Sequence, residues 1–295
     1  MQSKIKYKII LNPKAAGGKA KSIAAEILEK FGKYGHVDLY ETCCKGDATQ
    51  EAKNAVGKYD VVVAAGGDGT INEVINGIAY QNIKLGIVPV GTANVFALEH
   101  DVKNMNTAIE RVITGTPKTI DLGKIEGQYF LSWAGIGLDA HTIKTAESEK
   151  YYLFYKKILG IHYYTLSCLK AFTNYDPSIL EIKVDGVSYL GYNAVISNIK
   201  YYGTKLFMLA PAAKVDDGLL DVIICKNKKI KDMIKHAPGT IMNGKHTQSE
   251  DIIYVQGKSI EINSEKPVSS HCDAELYKNT PLKIRVAEKA IEIII

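Results

Sequence analysis

The sequence is 295 residues long and lacks any apolar run close to the roughly 20 residues that a membrane-spanning helix requires. Its longest nearly uncharged stretch, Ile158 to Leu169, reaches about half that length, so an integral membrane protein is not expected. Cysteine is sparse. Cys43, Cys44, Cys168, Cys225 and Cys272 make no CxxC pair, and their odd number leaves at least one thiol unpaired, which argues for reduced thiols rather than a disulfide framework. Met1 to Tyr7 has neither the apolar core nor the small-residue cleavage site of a secretory signal, so a cytoplasmic protein is expected. Charge of one sign is also in small excess: 37 Lys and Arg against 32 Asp and Glu give +5, spread along the chain and short of a basic nucleic-acid-binding domain. No nucleic-acid partner is expected, while anionic ligands and anionic membrane surfaces stay open. Several familiar motifs are missing as well. GxxxxGK[ST] fails because Pro13 stands where the first glycine before Gly18-Lys19 would be, and there is no GxGxxG, HExxH or GxSxG. Cys43-Cys44 is not read as a redox pair, nor His271-Cys272-Asp273 as a metal site, since adjacent strand residues point to opposite faces.

What the sequence does contain is a globular composition, 46% hydrophobic and 23% charged, over a length that suggests two domains. Lys6 to Leu11 reads as a strand ending at Asn12-Pro13, and Ile23, Ala24, Ile27, Leu28 and Phe31 recur at helical spacing. The unit repeats: strands at Val37 to Thr42, Asp60 to Ala65 and Lys84 to Val88 alternate with helices at Ala48 to Val56 and Ile71 to Ile78. Alternation of this kind requires crossover connections, hence a largely parallel sheet with helices on both faces. Near Thr116-Pro117 the pattern changes to short alternating segments at Ile120 to Ile125, Tyr129 to Trp133, Ile179 to Val184, Gly191 to Ser197, Leu219 to Cys225, Ile260 to Asn263, Leu282 to Val286 and Ile291 to Ile295. The expected architecture is therefore an α/β N-terminal domain with a largely parallel sheet (residues 1–116) and a mostly antiparallel β C-terminal domain (residues 117–295). A helical insertion is expected around Asp139 to Phe172, and the last strand is free to join either sheet.

The richest chemical signal is Gly66-Gly67-Asp68-Gly69-Thr70, at the carboxyl end of a strand and ahead of a helix expected to begin near Thr70. Glycines there let the backbone approach a phosphate, and the helix start supplies N–H groups and partial positive charge. Asp68 among those donors repels a bare phosphate, but a magnesium nucleotide resolves the conflict. A tight turn with Asp68 as a helix cap is the alternative. The loops Asn12 to Lys19 and Pro89 to Asn94 follow neighbouring strands and should emerge at the same edge of the sheet. A second signal, Lys150 to Leu159 continuing through Tyr163-Tyr164, interleaves tyrosine with lysine. Either a bilayer-surface helix or a helix packed over the β domain would fit it, and Lys226 to Lys231 adds a basic run.

The blocks NPKAAGG, GGDGTINEVINGI, PVGTANVFA, DDGLLDV and HCDAE, in this order across nearly the whole chain, resemble the diacylglycerol kinase catalytic family, in particular its bacterial lipid kinases. The resemblance implies a phosphotransferase that moves the γ-phosphoryl group of Mg-ATP to the hydroxyl of diacylglycerol or a related lipid alcohol. Peripheral contact with the inner membrane face and a homodimer are compatible with it. Carried over by motif, the ATP site would comprise Asn12, Pro13, Lys14, Ala15, Ala16, Thr42, Gly66, Gly67, Asp68, Gly69, Thr70, Ile71, Asn72, Glu73 and Thr92. A structural Mg²⁺ would take the side chain of Asp217 and backbone oxygens near Lys214 and Leu219. Glu275 would be the catalytic base, with Asp68 in the active site. Two departures stand out: Ala274 where the family usually has glycine, and Val95 where many members have aspartate. GGDGT alone is shared with NAD kinases, so an NAD kinase-like enzyme is one alternative, and a non-catalytic nucleotide- or lipid-sensing homologue is another.

Overall fold

A computed structural model of the protein describes residues 4–15, 17, 19–91, 93–102, 104–148, 175–228 and 243–295. Ala16, Thr92, the Tyr/Lys segment (Lys150 to Leu159, Tyr163, Tyr164) and Lys229 to Lys231 lie outside the described residues. Two compact units are present: Met1–Leu122 together with Glu288–Ile295, and Gly123–Ala287.

In the first unit, β1 (Ile5–Leu11), α1 (Ala20–Gly32), β2 (Gly35–Glu41), α2 (Asp47–Ala55), β3 (Val61–Gly66), α3 (Asp68–Ile78) and β4 (Lys84–Pro89) alternate, followed by α4 (Val95–Glu99) and α5 (Met105–Thr114). The strands lie in the order β2-β1-β3-β4, all parallel, and Glu292–Ile294 add a further parallel segment beside β4. Every residue of β3 is buried, as a central parallel strand covered on both faces demands, and its Val-Val-Val-Ala-Ala run supplies the apolar side chains. The strand order fixes where the helices go. From β1 the chain moves one way to β2, then reverses past β1 to β3 and on to β4. Right-handed crossovers therefore put α1 on one face and α2 and α3 on the other. Ala24, Ile27 and Phe31 of α1 are buried, Phe31 against the ring of Tyr7 at 4.9 Å between centroids.

Beyond α5, β5 (Lys118–Ile125) begins in the first unit and ends in the second. The second unit holds β6 (Gln128–Phe130), β7 (Trp133–Ile136), α6 (Leu138–Ser148), β8 (Leu180–Val184), β9 (Val187–Gly191) and β10 (Asn193–Ser197). After the small hairpin β11 (Tyr201–Tyr202) and β12 (Thr204–Met208) come β13 (Leu220–Cys225), β14 (Ile252–Gly257), β15 (Ser259–Ser264), β16 (Ser269–Cys272), β17 (Glu275–Asn279) and the first part of β18 (Leu282–Ile294). One antiparallel layer runs β18-β15-β8-β9 and the other β14-β13-β10-β7-β16-β17. Alternate residues of the two layers, among them Leu180, Ile182, Ile260, Ile262 and Ile284 facing Ala134, Ile136, Ile196, Val222 and Cys272, make one buried cluster, the core of a β sandwich. The two apolar segments expected at Leu282 to Val286 and Ile291 to Ile295 are a single 13-residue strand. Among the described residues no helix is long and apolar enough to cross a membrane.

Candidate functional site

In a doubly wound sheet, ligands bind outside the carboxyl ends of the strands where the winding reverses. Here that point lies between β1 and β3, and the two loops with the strongest sequence signals leave from it. Asn12 ties them together. Its N–H donates to Ala65 O at 2.9 Å, its Oδ1 accepts from Lys14 N at 3.0 Å and Ala15 N at 3.4 Å, and its Nδ2 donates to Thr70 Oγ1 at 3.1 Å. The helix begins two residues earlier than the sequence suggested. Gly67, with extended φ −94° and ψ −174°, is the N-cap of α3, and Asp68 is its first residue. Thr70 is the first intrahelical donor, bonding Gly67 O at 3.0 Å, so the N–H groups ahead of it face outward at the positive end of the helix dipole.

The third loop closes against the second. A Cβ on Gly91 would lie 2.5 Å from Gly67 Cα, so the two glycine bends touch backbone to backbone and no larger residue fits at 91. Asn94, at φ 49°, folds its side chain back, accepting from Gly91 N at 3.2 Å and donating to Gly91 O at 2.8 Å. Asp68 then bridges the loops: its Oδ1 accepts the N–H of Val95, the first residue of α4, at 3.0 Å. Asp68 is thus not the cap of its own helix but an acceptor at the start of another. Thr42 N–H donates to Leu11 O at 2.9 Å, which holds the end of β2 beside the β1 loop.

The other expected residues of α3 are buried or bonded within the unit. Ile71 is fully buried, and Thr70 and Asn72 are buried as well, so this turn of α3 faces the protein interior. The Glu73 carboxylate accepts the N–H groups of Gly46 at 3.0 Å and Ala48 at 3.1 Å and so caps α2. A cavity of about 290 Å³ lined by Tyr7, Asp60, Lys84 and Val112 lies at the amino-terminal edge of the same sheet, the end remote from these loops.

In the second unit, Cys272 pairs with Glu275 across a two-residue turn in which Asp273 and Ala274 both have positive φ, 45° and 64°. Mirror-image hairpin turns need this backbone, and it is one that glycine adopts without penalty. Asp273 is buried, and its carboxylate accepts three backbone N–H groups, from Leu131 at 2.7 Å, Ser132 at 2.9 Å and Trp133 at 3.1 Å. It therefore anchors the start of β7 under the turn, while Glu275 opens β17 partly exposed. His271 points to the opposite side from Cys272. Its ring is fully buried and its Nε2 lies 2.6 Å from Asp139 Oδ2 of α6, while the Tyr202 hydroxyl donates to Asp139 Oδ1. Burial alone would push the Asp139 carboxyl up, but the His271 charge, the His271 hydrogen bond and the Tyr202 hydroxyl outweigh it and hold it below the usual carboxylate range. The pair needs Gly135: a Cβ there would sit 2.1 Å from Asp139 Oδ2.

Lys214 and Asp217 are exposed, and Asp217 Oδ1 accepts Leu219 N at 3.1 Å across a turn in which Gly218 has φ 74°. Beneath that turn, Asp221 is buried and receives the Tyr254 hydroxyl, whose oxygen also accepts Ala212 N at 3.1 Å. Burial, aided by the negative charge of Asp217, raises the Asp221 carboxyl against the pull of Tyr254 and Gln256. Neither buried network has a sequence signature, because its members stand far apart in the chain.

Residues 6–125 match the family model described as the diacylglycerol kinase catalytic domain, and residues 133–295 match the YegS C-terminal NAD kinase beta sandwich-like domain. A diacylglycerol kinase of Bacillus subtilis (strain 168) is 32% identical over 278 residues, covering 91% of this chain and 89% of that protein. A diacylglycerol kinase of Staphylococcus aureus (strain MRSA252) is 30% identical over 296 residues, covering 97% and 91%. A crystal structure from Bacillus anthracis str. Sterne, 27% identical, superposes with a TM-score of 0.82 over 100% of this chain and 96% of that one.

Proposed function

The chain belongs to the diacylglycerol kinase catalytic family, and from that premise we propose that it transfers the γ-phosphoryl group of Mg-ATP to the hydroxyl of diacylglycerol or a related lipid alcohol at a membrane surface. The observation that carries this reading is the gathering of three loops at the β1/β3 switch point, with Gly67 against Gly91 and Asn12 bonded to Thr70. Phosphoryl transfer asks mainly for positioning and for neutralisation of charge on the phosphate oxygens. The N-terminal amides of α3 supply donors for the phosphates, beside the loop that Asn12 braces. Thr42 and the Asn94-braced loop flank them, and Thr92 belongs to that loop by sequence.

The donor set around Asp217 suits a hard cation: one carboxylate, with backbone oxygens of Lys214 and Leu219 as neutral partners. When bound, Mg²⁺ supplies charge neutralisation and a rigid brace for that turn. Asp68, negative among phosphate donors, fits a nucleotide that arrives with its own cation.

Glu275 accepts the proton that the lipid hydroxyl sheds as its oxygen attacks phosphorus. Labelled ATP offered with diacylglycerol, sphingosine, other lipid alcohols and NAD tests the reading: label should enter a lipid alcohol. Label on NAD would favour an NAD kinase, and label on nothing despite ATP binding would favour a sensing protein. Glu275→Ala should lower turnover by about 10²- to 10⁴-fold with nucleotide binding nearly intact; unchanged turnover removes Glu275 from the mechanism. Asp68→Ala should weaken the Mg²⁺ dependence of turnover, and an unaltered Mg²⁺ titration would leave Asp68 with a structural role, such as its bond to Val95.

A further inference from the structure

The loop between β2 and α2 carries two adjacent cysteines, and α2 opens on an aspartate, that the kinase reading does not use. Cys43 Sγ and Cys44 Sγ are 3.6 Å apart, Cys44 Sγ is 3.4 Å from Asp47 Oδ1, and all three ligand atoms fall within 4.8 Å of one another. A tetrahedral zinc ion, with Zn–S of about 2.3 Å and Zn–O of about 2.0 Å, spans about 3.8 Å between two sulfurs and about 3.5 Å between sulfur and oxygen. The side chains already stand at nearly those spacings, whereas a disulfide would need the sulfurs at about 2.05 Å. The carboxylate is also aimed: Asp47 Oδ2 accepts the N–H of Cys43 at 2.8 Å and of Cys44 at 3.2 Å, leaving Oδ1 on the side of the thiols. Outer hydrogen bonds of this kind orient metal-binding carboxylates. Both cysteines are exposed, so solvent reaches the fourth position.

We propose that Cys43, Cys44 and Asp47 form a surface site for one thiophilic divalent ion of the zinc type, with water as the fourth ligand. On binding, two S–H bonds break, two metal–sulfur bonds form and two protons leave to solvent, while the carboxylate keeps its charge and no redox change occurs. The loop is held at both ends, by Thr42 N–H on Leu11 O and Gly46 N–H on Glu73, so the ion would clip its middle. The inference rests on the loop geometry and is independent of the catalytic reading.

Co²⁺ titration of the reduced, metal-stripped full chain tests it. We expect one equivalent to bind with thiolate-to-cobalt charge-transfer absorption and tetrahedral d–d bands, displaced by one equivalent of Zn²⁺. Cys43→Ser and Cys44→Ser should each diminish the charge-transfer band and together abolish it. Asp47→Asn should weaken Co²⁺ binding by about tenfold or more, and Cys225→Ser should change nothing. In the unmodified protein, Zn²⁺ should protect Cys43 and Cys44 from iodoacetamide, read by peptide mass spectrometry, which does not depend on how a variant folds. Absence of a stoichiometric charge-transfer band, its survival in the double serine variant, unchanged affinity in Asp47→Asn, or equal alkylation with and without Zn²⁺ would each overturn the site.

Discussion

Ala274 occupies the second position of a turn whose backbone it fits poorly. At φ 64° its Cβ crowds the following carbonyl, a cost of roughly 1–2 kcal/mol that glycine does not incur. Ala274→Gly should therefore raise the unfolding free energy by about 1 kcal/mol, read as a higher urea midpoint at constant slope. A lower midpoint would mean that Ala274 is held by contacts outweighing its backbone. The departure was visible in the sequence as alanine where glycine is usual, and glycine's tolerance of positive φ was enough to anticipate the backbone. The role of Asp273 was not visible. Its three N–H donors lie on residues 131 to 133, about 140 positions earlier, and no local pattern encodes a partner at that separation. Glu73 is similar: it sits within the GGDGTINE block, yet its carboxylate serves the start of α2.

At the level of elements, α6 is joined to β16 by the pair of half-buried Asp139 and buried His271, and that junction should be sensitive to acid. The folded Asp139 carboxyl titrates below its unfolded counterpart, so the native state binds fewer protons in the acid range. Its contribution is complete above the unfolded carboxyl's pKa and is lost as pH falls through the folded one. Asp139→Asn should accordingly lower stability at neutral pH and flatten the loss of stability on acidification, measured by denaturant unfolding at a series of pH values. An acid limb as steep as in the unmodified protein would show that other groups govern it. Periodicity located β1 through β4 and the helices between them because β1, β3 and β4 carry buried apolar runs and the helices keep a regular apolar face. It missed α5, although Asn104 caps that helix by accepting Thr107 N at 3.0 Å and its buried face is Ala108, Ile109 and Val112. It also missed β9, whose Val187 and Leu190 are exposed, so that burial leaves no alternation to read. In β18, Ala287 to Ala290 interrupts the apolar pattern with weak strand formers, and Lys289 has φ 50°. Pairing with neighbours carries the strand through.

At the level of the whole molecule, one strand serves two units. The first part of β18 pairs antiparallel with β15, Ile260 opposite Ile284, and its last part pairs parallel with β4, Leu85 opposite Ile293. The sequence left open which sheet the final segment would join, because an isoleucine-rich run suits either. Removing Glu288–Ile295 should uncover β4 and take away the buried side chains of Ile291, Ile293 and Ile294. The expected outcome is loss of hydrogen-exchange protection at the amides of Lys84 to Val88, with those of β8 and β15 less affected. Retained protection along β4 would show that the first unit is complete without its last segment.

Since β4 meets that partner only after all of β5 to β17 has been translated, the first unit emerges from the ribosome one strand short. An unpaired edge rich in Leu, Ile and Val stands open during that interval. Contacts between residues so distant in sequence also form slowly. Late completion of the first sheet is thus built into the chain order.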